Sequence, residues 1–255
     1  MESVLNESLE PELAGPNPLQ IQPWTRLIRR AMRHREYTRW VDEYCKPLTV
    51  TGQERLTSLH GPAIFIANHQ SHMDTPVIME ALPKRIQDNI LFGAAADRWF
   101  VKGKKKLILQ PWYQSLVMGN FPIVRGGGSK TLEYARWLLD QGSNICIFPE
   151  GTRATSNQLG EFRHGVTLLA KSARVPVIPV VLKGLREMRP KGSRTVTPGP
   201  ASATILNPIY LSWDVSVEDA TALLRDTMNR EFAQTIEFNP LTHKEVSHYK
   251  QAKAA

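Results

Sequence analysis

Cysteine is scarce in this 255-residue chain, and long apolar runs are missing. The only two cysteines, Cys45 and Cys146, lack the paired spacing of a disulfide framework or a zinc site, so a reducing compartment is expected. No apolar run approaches the ~20 residues that a bilayer-spanning helix needs, and no charged segment followed by an apolar one marks a secretory signal. We therefore expect any membrane contact to be peripheral.

Acidic residues are fewer than basic ones. Lys and Arg number 32 against 24 Asp and Glu, which gives a formal net charge of +8. The first 25 residues hold four glutamates and no basic residue, so the remainder carries +12 (+8 less −4). This excess suits an anionic partner: a lipid headgroup surface, a nucleotide-bearing donor molecule, an acidic carrier protein or a nucleic acid. A soluble basic surface without a partner explains the charge equally well.

Length and residue distribution predict one large domain with loose ends. Residues 1–23 hold four of the 18 prolines and show little periodicity, so a flexible arm is predicted there. Residues 24–238 form the predicted domain, and its first element is a helix over residues 24–45. The polar residues 239–255 are predicted to be a loosely ordered tail.

The helix at residues 24–45 is predicted to be amphipathic and basic. Apolar residues recur at i, i+3, i+4 and i+7 and arginines crowd the other side; the apolar positions are Trp24, Leu27, Ile28 and Ala31, and the arginines are Arg26, Arg29, Arg30, Arg33 and Arg35. The favoured interpretation is a surface helix that packs its apolar stripe on the core. The alternative is a helix that lies on anionic lipid.

A second candidate membrane contact covers residues 99–113. Aromatic residues and lysines interleave along it, as they do at membrane interfaces. The same interleaving occurs in grooves that bind single-stranded nucleic acid, so the segment alone does not decide between the two.

Short apolar runs alternate with helical patterns through the rest of the chain. Strands are predicted at residues 63–67, 90–94, 121–124, 144–148, 176–182 and 201–206, and helices at residues 75–82, 129–141, 164–173 and 217–234. This alternation predicts an α/β fold with a mostly parallel or mixed central sheet covered by helices. In such sheets, ligands bind where the strands end.

The first predicted strand leads directly into a histidine that a nearby carboxylate can orient. Asn68 and His69 follow the strand, and Asp74 or Thr75 is the expected N-cap of the next helix. Five helical steps of about 100° would turn His69 and Asp74 apart, so His69 must precede the helix. The pair then forms a general base and its partner, without a nucleophile of its own, and the substrate must supply a hydroxyl. His72 is expected to face solvent.

A second polar turn, at residues 148–153, supplies an arginine and a glycine. Gly151 permits a tight turn or a close approach to a ligand, and Arg153 can grip a phosphate through two parallel hydrogen bonds. Glu150 shapes the pocket in this interpretation; a surface ion pair between Glu150 and Arg153 is the alternative. Arg125 and Arg163 also lie after a strand or before a helix, and the three arginines together predict a phosphate pocket.

Four blocks of the chain, in this order, resemble the lysophosphatidic acid acyltransferase family, the 1-acylglycerol-3-phosphate acyltransferases and their glycerolipid relatives. The blocks are residues 68–74, 121–125, 148–153 and 175–180, and the string FPEGTR in the third is the most specific. The chain departs from the family in two ways. Arg163 stands where relatives often carry lysine, and the membrane-spanning segments common at the family's N-terminus have no expected counterpart.

The resemblance assigns roles to individual positions. It implies that His69 and Asp74 are the catalytic dyad of the family's HX4D motif and that Arg125 is the arginine of its second block. It also implies a substrate-binding loop for the acceptor phosphate, to which we add Arg163; the loop residues are Glu150, Gly151, Thr152 and Arg153.

The function that the resemblance implies is acyl transfer from acyl-coenzyme A or acyl carrier protein to the free hydroxyl of 1-acylglycerol 3-phosphate, giving phosphatidic acid. The thioester is a co-substrate, and no cofactor, metal or nucleic-acid partner is expected. The expected location is the cytoplasm, peripherally bound to the cytoplasmic face of the membrane. Alternatives are another acceptor, such as glycerol 3-phosphate or a lysophospholipid, and a non-catalytic lipid-binding module.

Overall fold

A central sheet organises the molecule. The computed structural model describes residues 15–100, 106–124, 128–193 and 195–234, with the side chains at 34 and 128–131 left aside. Within these ranges the sheet has seven strands in the order β1-β7-β6-β2-β5-β3-β4. The strands are β1 Cys45–Thr51, β2 Ile64–Ala67, β3 Ile90–Ala95, β4 Asn120–Ile123, β5 Asn144–Ile147, β6 Val177–Lys183 and β7 Gly199–Ile205.

Helices flank both faces of the sheet. In the described part of the chain they are α1 Pro23–Arg33, α2 Arg39–Tyr44, α3 Asp74–Ala81, α4 Lys84–Gln87, α5 Ala96–Trp99, α6 Gly128–Asp140, α7 Gly165–Ala173, α8 Leu185–Met188 and α9 Val217–Ala233. The π-helical turn His34–Thr38 joins α1 to α2, and a second one spans Tyr113–Met118; the 3₁₀ turns are Pro18–Ile21, Gln53–Leu56 and Leu107–Leu109.

Five adjacent strands run parallel. β6, β2, β5, β3 and β4 pair in parallel, whereas β7 is antiparallel to β6 and parallel to β1. The predicted mixed sheet covered by helices is therefore confirmed. β1 was missed, because the predicted helix ran to residue 45 and a half-buried polar strand follows it directly. Since the five parallel strands end at one edge, the segments that leave their carboxyl ends meet there.

Alternate residues of β2 fill two separate cores. Ile64 and Ile66 pack with side chains of α6, α7 and α9 on one face, while Phe65 and Ala67 pack with α2 and α3 on the other. All four residues are fully buried. A strand buried on both faces reads as a continuous apolar run, which is why the sequence located it so closely.

The chain is ordered further towards the N-terminus than predicted. Within the predicted flexible arm, Pro18–Ile21 forms a 3₁₀ turn and the Gln20 side chain is fully buried. Its amide donates to the Asn120 carbonyl at 2.8 Å, and its oxygen accepts from the Tyr134 hydroxyl at 2.8 Å. The predicted arm boundary at residue 23 is therefore wrong. Residues 1–14 and the predicted tail at 239–255 lie outside the described residues.

Helix α1 packs with the opposite face from the one expected. Arg29 and Arg33 are 3% and 5% exposed, whereas Trp24, Leu27 and Ile28 are 47%, 66% and 42% exposed. The favoured prediction, an apolar stripe packed on the core, is wrong. No helix in the described part of the chain is long and apolar enough to cross a bilayer.

The reason for this inversion lies at the end of the turn Tyr113–Met118. The last carbonyls of a helix lack partners, and Arg33 supplies donors to the Met118 carbonyl at 2.8 Å and to the Ile90 carbonyl at 3.0 Å. Gly119, with φ +69°, leaves room for them, because a Cβ there would collide with the Arg33 guanidinium. Arg29 donates to the Gln20 carbonyl at 2.7 Å, and burial lowers its pKa to about 9.

Candidate active site

The first and third sequence blocks meet at the carboxyl edge of the sheet. β2 leads into His69 and β5 leads into residues 148–153, and the two strands are parallel neighbours. The pairing joins Phe65 to Cys146 and Ile66 to Ile147, so the two polar turns start side by side.

His69 and Asp74 form a hydrogen-bonded pair. His69 Nδ1 lies 2.7 Å from Asp74 Oδ2, and the two side chains are 24% and 1% exposed. Asp74 also accepts from the backbone N–H of Gln70 at 2.7 Å and of Ser71 at 2.9 Å. Because a carboxylate only accepts, the proton sits on Nδ1 and Nε2 carries the free lone pair. The pair can therefore serve as a general base and its orienting partner.

Asp74 lies within the first turn of α3 and not at its N-cap position. The residue is the first of α3, and the N-cap is Met73, which makes no side-chain cap. The prediction of Asp74 or Thr75 as N-cap is wrong. The carboxylate instead folds back over the preceding turn, where the N-terminal end of the helix also favours its charge.

The loop of residues 148–154 contacts His69 through two hydrogen bonds to its backbone and one stacking contact with its ring. The backbone N–H of His69 donates to Glu150 Oε1 at 2.9 Å, and its carbonyl accepts from the Ala154 N–H at 2.7 Å. The ring stacks on Phe148 with centroids 4.3 Å apart. Both polar turns thus form one unit that fixes the position of the imidazole.

Glu150 is engaged by the backbone rather than by an arginine. Glu150 is 7% exposed, and its Oε2 accepts a hydrogen bond from the Gly160 N–H at 3.0 Å. Burial raises the pKa of Glu150, while the N–H donors of His69 and Gly160 act in the opposite direction. The alternative of a surface ion pair with Arg153 is wrong. Its carboxylate shapes the loop, and a direct contact with substrate stays a prediction.

The other predicted site residues lie around the same loop. Gly151 has φ +67°, and a Cβ there would lie 2.8 Å from Arg163 Nε, so that exposed guanidinium rests on the glycine. Thr152 is exposed and accepts a hydrogen bond from Lys191 Nζ at 3.2 Å. Arg125 lies outside the described residues.

Arg153 is half-buried next to the His69–Asp74 pair. Burial lowers its pKa, and the charges of Arg98 and Arg189 act in the same direction, whereas Asp74 opposes them. The structure thus brings Arg153 into the electrostatic range of Asp74, and it adds two arginines that sequence reasoning missed. Both follow parallel strands: Arg98 lies in α5 after β3, and Arg189 follows α8 after β6.

His72 lies next to Arg98 and is partly buried, so the prediction that it faces solvent is wrong in part. Its Nε2 is 3.2 Å from Arg98 Nη2, and its ring meets Trp99 edge-on with centroids 6.1 Å apart. Burial, followed by the charges of Arg153, Arg98 and Arg189, lowers the pKa of His72 to about 4. The ring is therefore neutral near pH 7.

A cavity of about 540 Å³ opens beside Gln70, the residue after His69. Its lining is mainly apolar and comes from the ends of β6 and β7, α8 and α9; it includes Met188, Pro198, Pro200 and Phe232. Lys183 and Glu187 also line it, so the cavity combines an apolar surface with charged groups.

Within the described residues, the molecule is an α/β domain with a hydrogen-bonded histidine–aspartate pair at the carboxyl edge of its sheet. The family model described as Acyltransferase matches residues 47–183, more than half of the chain, and the chain belongs to that family. The resemblance inferred from the four sequence blocks is thereby confirmed.

Curated relatives agree with this assignment. The chain is 27% identical over 187 residues to "1-acyl-sn-glycerol-3-phosphate acyltransferase BAT2, chloroplastic" of Brassica napus, which covers 71% of this chain and 50% of that protein. It is 31% identical over 169 residues to the 1-acyl-sn-glycerol-3-phosphate acyltransferase of Cocos nucifera, with 64% and 50% covered. The chain spans about half the length of the curated relatives it matches.

One solved structure shares the fold. The crystal structure of PlsC, the 1-acyl-sn-glycerophosphate acyltransferase of Thermotoga maritima, matches with a TM-score of 0.64 and 24% identity. The match covers 84% of this chain and 81% of that one. At this identity the likeness concerns the fold alone.

Proposed function

We propose that this protein moves a fatty acyl group from an acyl thioester to the free hydroxyl of 1-acylglycerol 3-phosphate, giving phosphatidic acid. The observation that carries the proposal is the pair His69–Asp74 at the carboxyl edge of the sheet, with Arg153 in the electrostatic range of Asp74. The curated relatives bear the name of this activity, which supports the choice of acceptor.

The chemistry requires one proton transfer and one acyl exchange. Nε2 of His69 takes the proton of the acceptor hydroxyl as its oxygen attacks the thioester carbonyl. The C–O bond forms, the C–S bond breaks, and the proton passes to the departing thiolate. A thiol with a pKa near ~8.5 leaves without strong acid assistance. Asp74 keeps Nδ1 protonated and stabilises the imidazolium that forms.

The substrates are assigned by charge and polarity. Arg153, with Arg163 and Arg125, holds the acceptor phosphate, and Thr152 and Gly151 line the same loop. The donor is acyl-coenzyme A or acyl carrier protein, without a further cofactor. The apolar cavity beside Gln70 takes an acyl chain.

Product analysis with the purified protein tests the proposal. Labelled oleoyl-coenzyme A is offered with lysophosphatidic acid, glycerol 3-phosphate or lysophosphatidylcholine, and the products are identified by mass. We expect phosphatidic acid, and we expect His69→Ala to lower kcat by at least ~10²-fold, the usual share of a general base. His60→Ala is the matched control, since His60 is exposed away from the site. Near wild-type turnover in the His69 variant would refute the mechanism.

We also propose that the protein binds the anionic cytoplasmic face of a membrane through α1. The support is the apolar side of that helix, formed by Trp24, Leu27 and Ile28, which is exposed in the part of the chain that the structure describes. α1 packs against the turn Tyr113–Met118, and the segment just before this turn exposes Leu107, Ile108 and Trp112. An apolar face beside basic residues suits the headgroup region of anionic lipid.

Vesicle co-sedimentation tests this orientation. The double variant Leu27→Glu, Ile28→Glu should lose at least ~10-fold in affinity for vesicles of phosphatidylcholine and phosphatidylglycerol, because two carboxylates replace apolar contacts. Leu223→Glu, at an exposed leucine of α9, is the control and should bind as the wild type does. Equal loss in both variants would place the contact elsewhere.

A further inference from the structure

Three arginines lie at the carboxyl edge of the sheet, and their charges act on one imidazole, that of His72. Within the described residues, Arg98, Arg153 and Arg189 make no ion pair, although such pairs occur elsewhere in the molecule. Their charges converge on His72. Three like charges repel one another, so their proximity is costly unless an anion joins them.

Each of the two newly found arginines retains unused donors. Arg98 contacts His72 through one nitrogen at 3.2 Å and lies over the Trp99 ring, 5.3 Å from its centroid. The Nε of Arg189 is buried and has no hydrogen-bond partner in the structure. A buried, unsatisfied donor on a guanidinium costs free energy, and a bound anion removes that cost.

The segment that carries Arg189 is tied to the predicted phosphate loop. Arg186 Nε donates to Asn157 Oδ1 at 2.7 Å, and Lys191 Nζ donates to Thr152 Oγ1 at 3.2 Å. These contacts hold Arg189 next to the loop of Arg153. Residues 186–191 thus lie beside the predicted phosphate loop.

His72 completes the arrangement as a neutral donor. Since an arginine N–H only donates, the Nε2 of His72 accepts from Arg98, and its Nδ1 carries the proton. In this tautomer the ring carries one N–H donor next to the Arg98 guanidinium. Such a set of fixed donors matches the oxygens of a phosphate monoester.

We propose that Arg98, Arg189 and His72, beside Arg153, form a subsite that binds the phosphate monoester dianion of one substrate. The inference rests on the proposed function and adds Arg98 and Arg189 as residues that select a phosphorylated substrate. Two sources share this chemistry: the headgroup of the acyl acceptor and the 3′-phosphate of a coenzyme A donor.

Steady-state kinetics distinguish the two sources. Arg98→Gln and Arg189→Gln should each raise the KM of the substrate whose phosphate occupies the subsite at least ~10-fold, since one charge-assisted contact is lost. The KM of the second substrate should stay unchanged. A change confined to lysophosphatidic acid assigns the headgroup, and one confined to the coenzyme A thioester assigns the 3′-phosphate. The lysine variants should recover part of the affinity. Arg136→Gln is the control, because Arg136 pairs with Asp140 at 2.8 Å on α6.

A binding measurement keeps the test independent of turnover. The His72 signal, assigned by its absence in His72→Asn, is titrated by NMR with glycerol 3-phosphate or adenosine 3′,5′-bisphosphate. The probe that binds should raise the pKa of His72 from about 4, and both glutamine variants should weaken that probe at least ~10-fold. The inference is overturned if neither probe moves His72, or if both variants keep wild-type KM and probe affinity. Probe binding without any acylated product would instead refute the proposed function alone.

Discussion

Among the described residues, two groups of arginines form no ion pair with a carboxylate, and the groups differ in what accepts their hydrogen bonds. Arg29 and Arg33 are buried under α1 and donate to main-chain carbonyls at 2.7 to 3.0 Å. Arg98, Arg153 and Arg189 lie at the carboxyl edge of the sheet, where Arg98 contacts the His72 imidazole and the Trp99 ring and Arg189 keeps a buried unbonded nitrogen. A guanidinium satisfied by the backbone is structural, whereas one with unused donors at a functional edge indicates a ligand.

The same contrast applies to the surfaces. The structural arginines draw the polar side of α1 inward, so Trp24 and Leu27 are left outside. At the functional edge, Arg98 is exposed, Arg153 and Arg189 are half-buried, and apolar residues line a cavity. The exposed apolar side chains of α1 suit the hydrocarbon part of a lipid. The arginines of the functional edge suit its phosphate.

The largest effect is expected at the functional edge, from Asp74→Asn. An amide can donate to Nδ1 of His69 and so favour the wrong tautomer, which should lower kcat roughly 10³-fold. Stability should change by no more than about 2 kcal/mol, since the amide oxygen still accepts a backbone N–H. Steady-state kinetics and urea unfolding measure both quantities. Asp140→Asn, at an exposed aspartate, should change neither.

Replacing a structural arginine should give the reverse result. Arg33→Met leaves the carbonyls of Met118 and Ile90 without donors, so the free energy of unfolding should fall by about 2–4 kcal/mol with kcat retained in the folded fraction. Arg30→Met is the control, because Arg30 is exposed and its nearest acid, Asp88, is 3.7 Å away; the expected loss is below ~0.5 kcal/mol. If Arg33→Met lowered kcat and left the free energy of unfolding unchanged, the distinction between the structural arginines and those of the functional edge would be wrong.

Glu150 allows a test with a smaller expected effect at the functional edge. Its carboxylate accepts hydrogen bonds from backbone N–H groups there. In Gly160→Ala the new Cβ would lie 2.8 Å from Glu150 Oε2, the carboxylate that also holds the His69 N–H. We expect unfolding free energy to fall by about 1–2 kcal/mol and kcat to fall about 10-fold as His69 shifts. Gly165→Ala, whose Cβ would meet no atom closer than 3.6 Å, serves as control in urea unfolding and kinetics.

Local patterns in the sequence were enough to locate most of the sheet. β2 and β6 were predicted within a residue, because strands buried on both faces appear as unbroken apolar runs. β1 has an alternating, half-buried pattern next to a helix and gave no such signal. The His69 and Arg153 turns were found because each follows a buried strand directly.

Long-range contacts account for what sequence reasoning missed. The direction in which α1 packs depends on the Met118 carbonyl, 85 residues away from Arg33. Arg98 and Arg189 carry no local motif, and they join His72 only because the parallel strands before them end at one edge. A search for basic residues shortly after each predicted parallel strand would have found both.

The smallest expected effect is the pH dependence of stability due to His72. Its pKa falls from 6.5 to about 4 on folding, so between these values the unfolded chain binds more protons than the folded one. Stability is therefore lost as pH falls from about 6.5 to about 4, and the group contributes nothing above that window. The ring is partly exposed, which limits the loss to an order of about 1 kcal/mol. His72→Asn should remove this component in urea unfolding at pH 7, 6, 5 and 4, whereas His60→Asn should follow the wild type. If His72→Asn and the wild type show the same slope, neither burial nor the edge arginines lower the pKa of this imidazole, and the contrast with Arg29 and Arg33 loses its electrostatic basis.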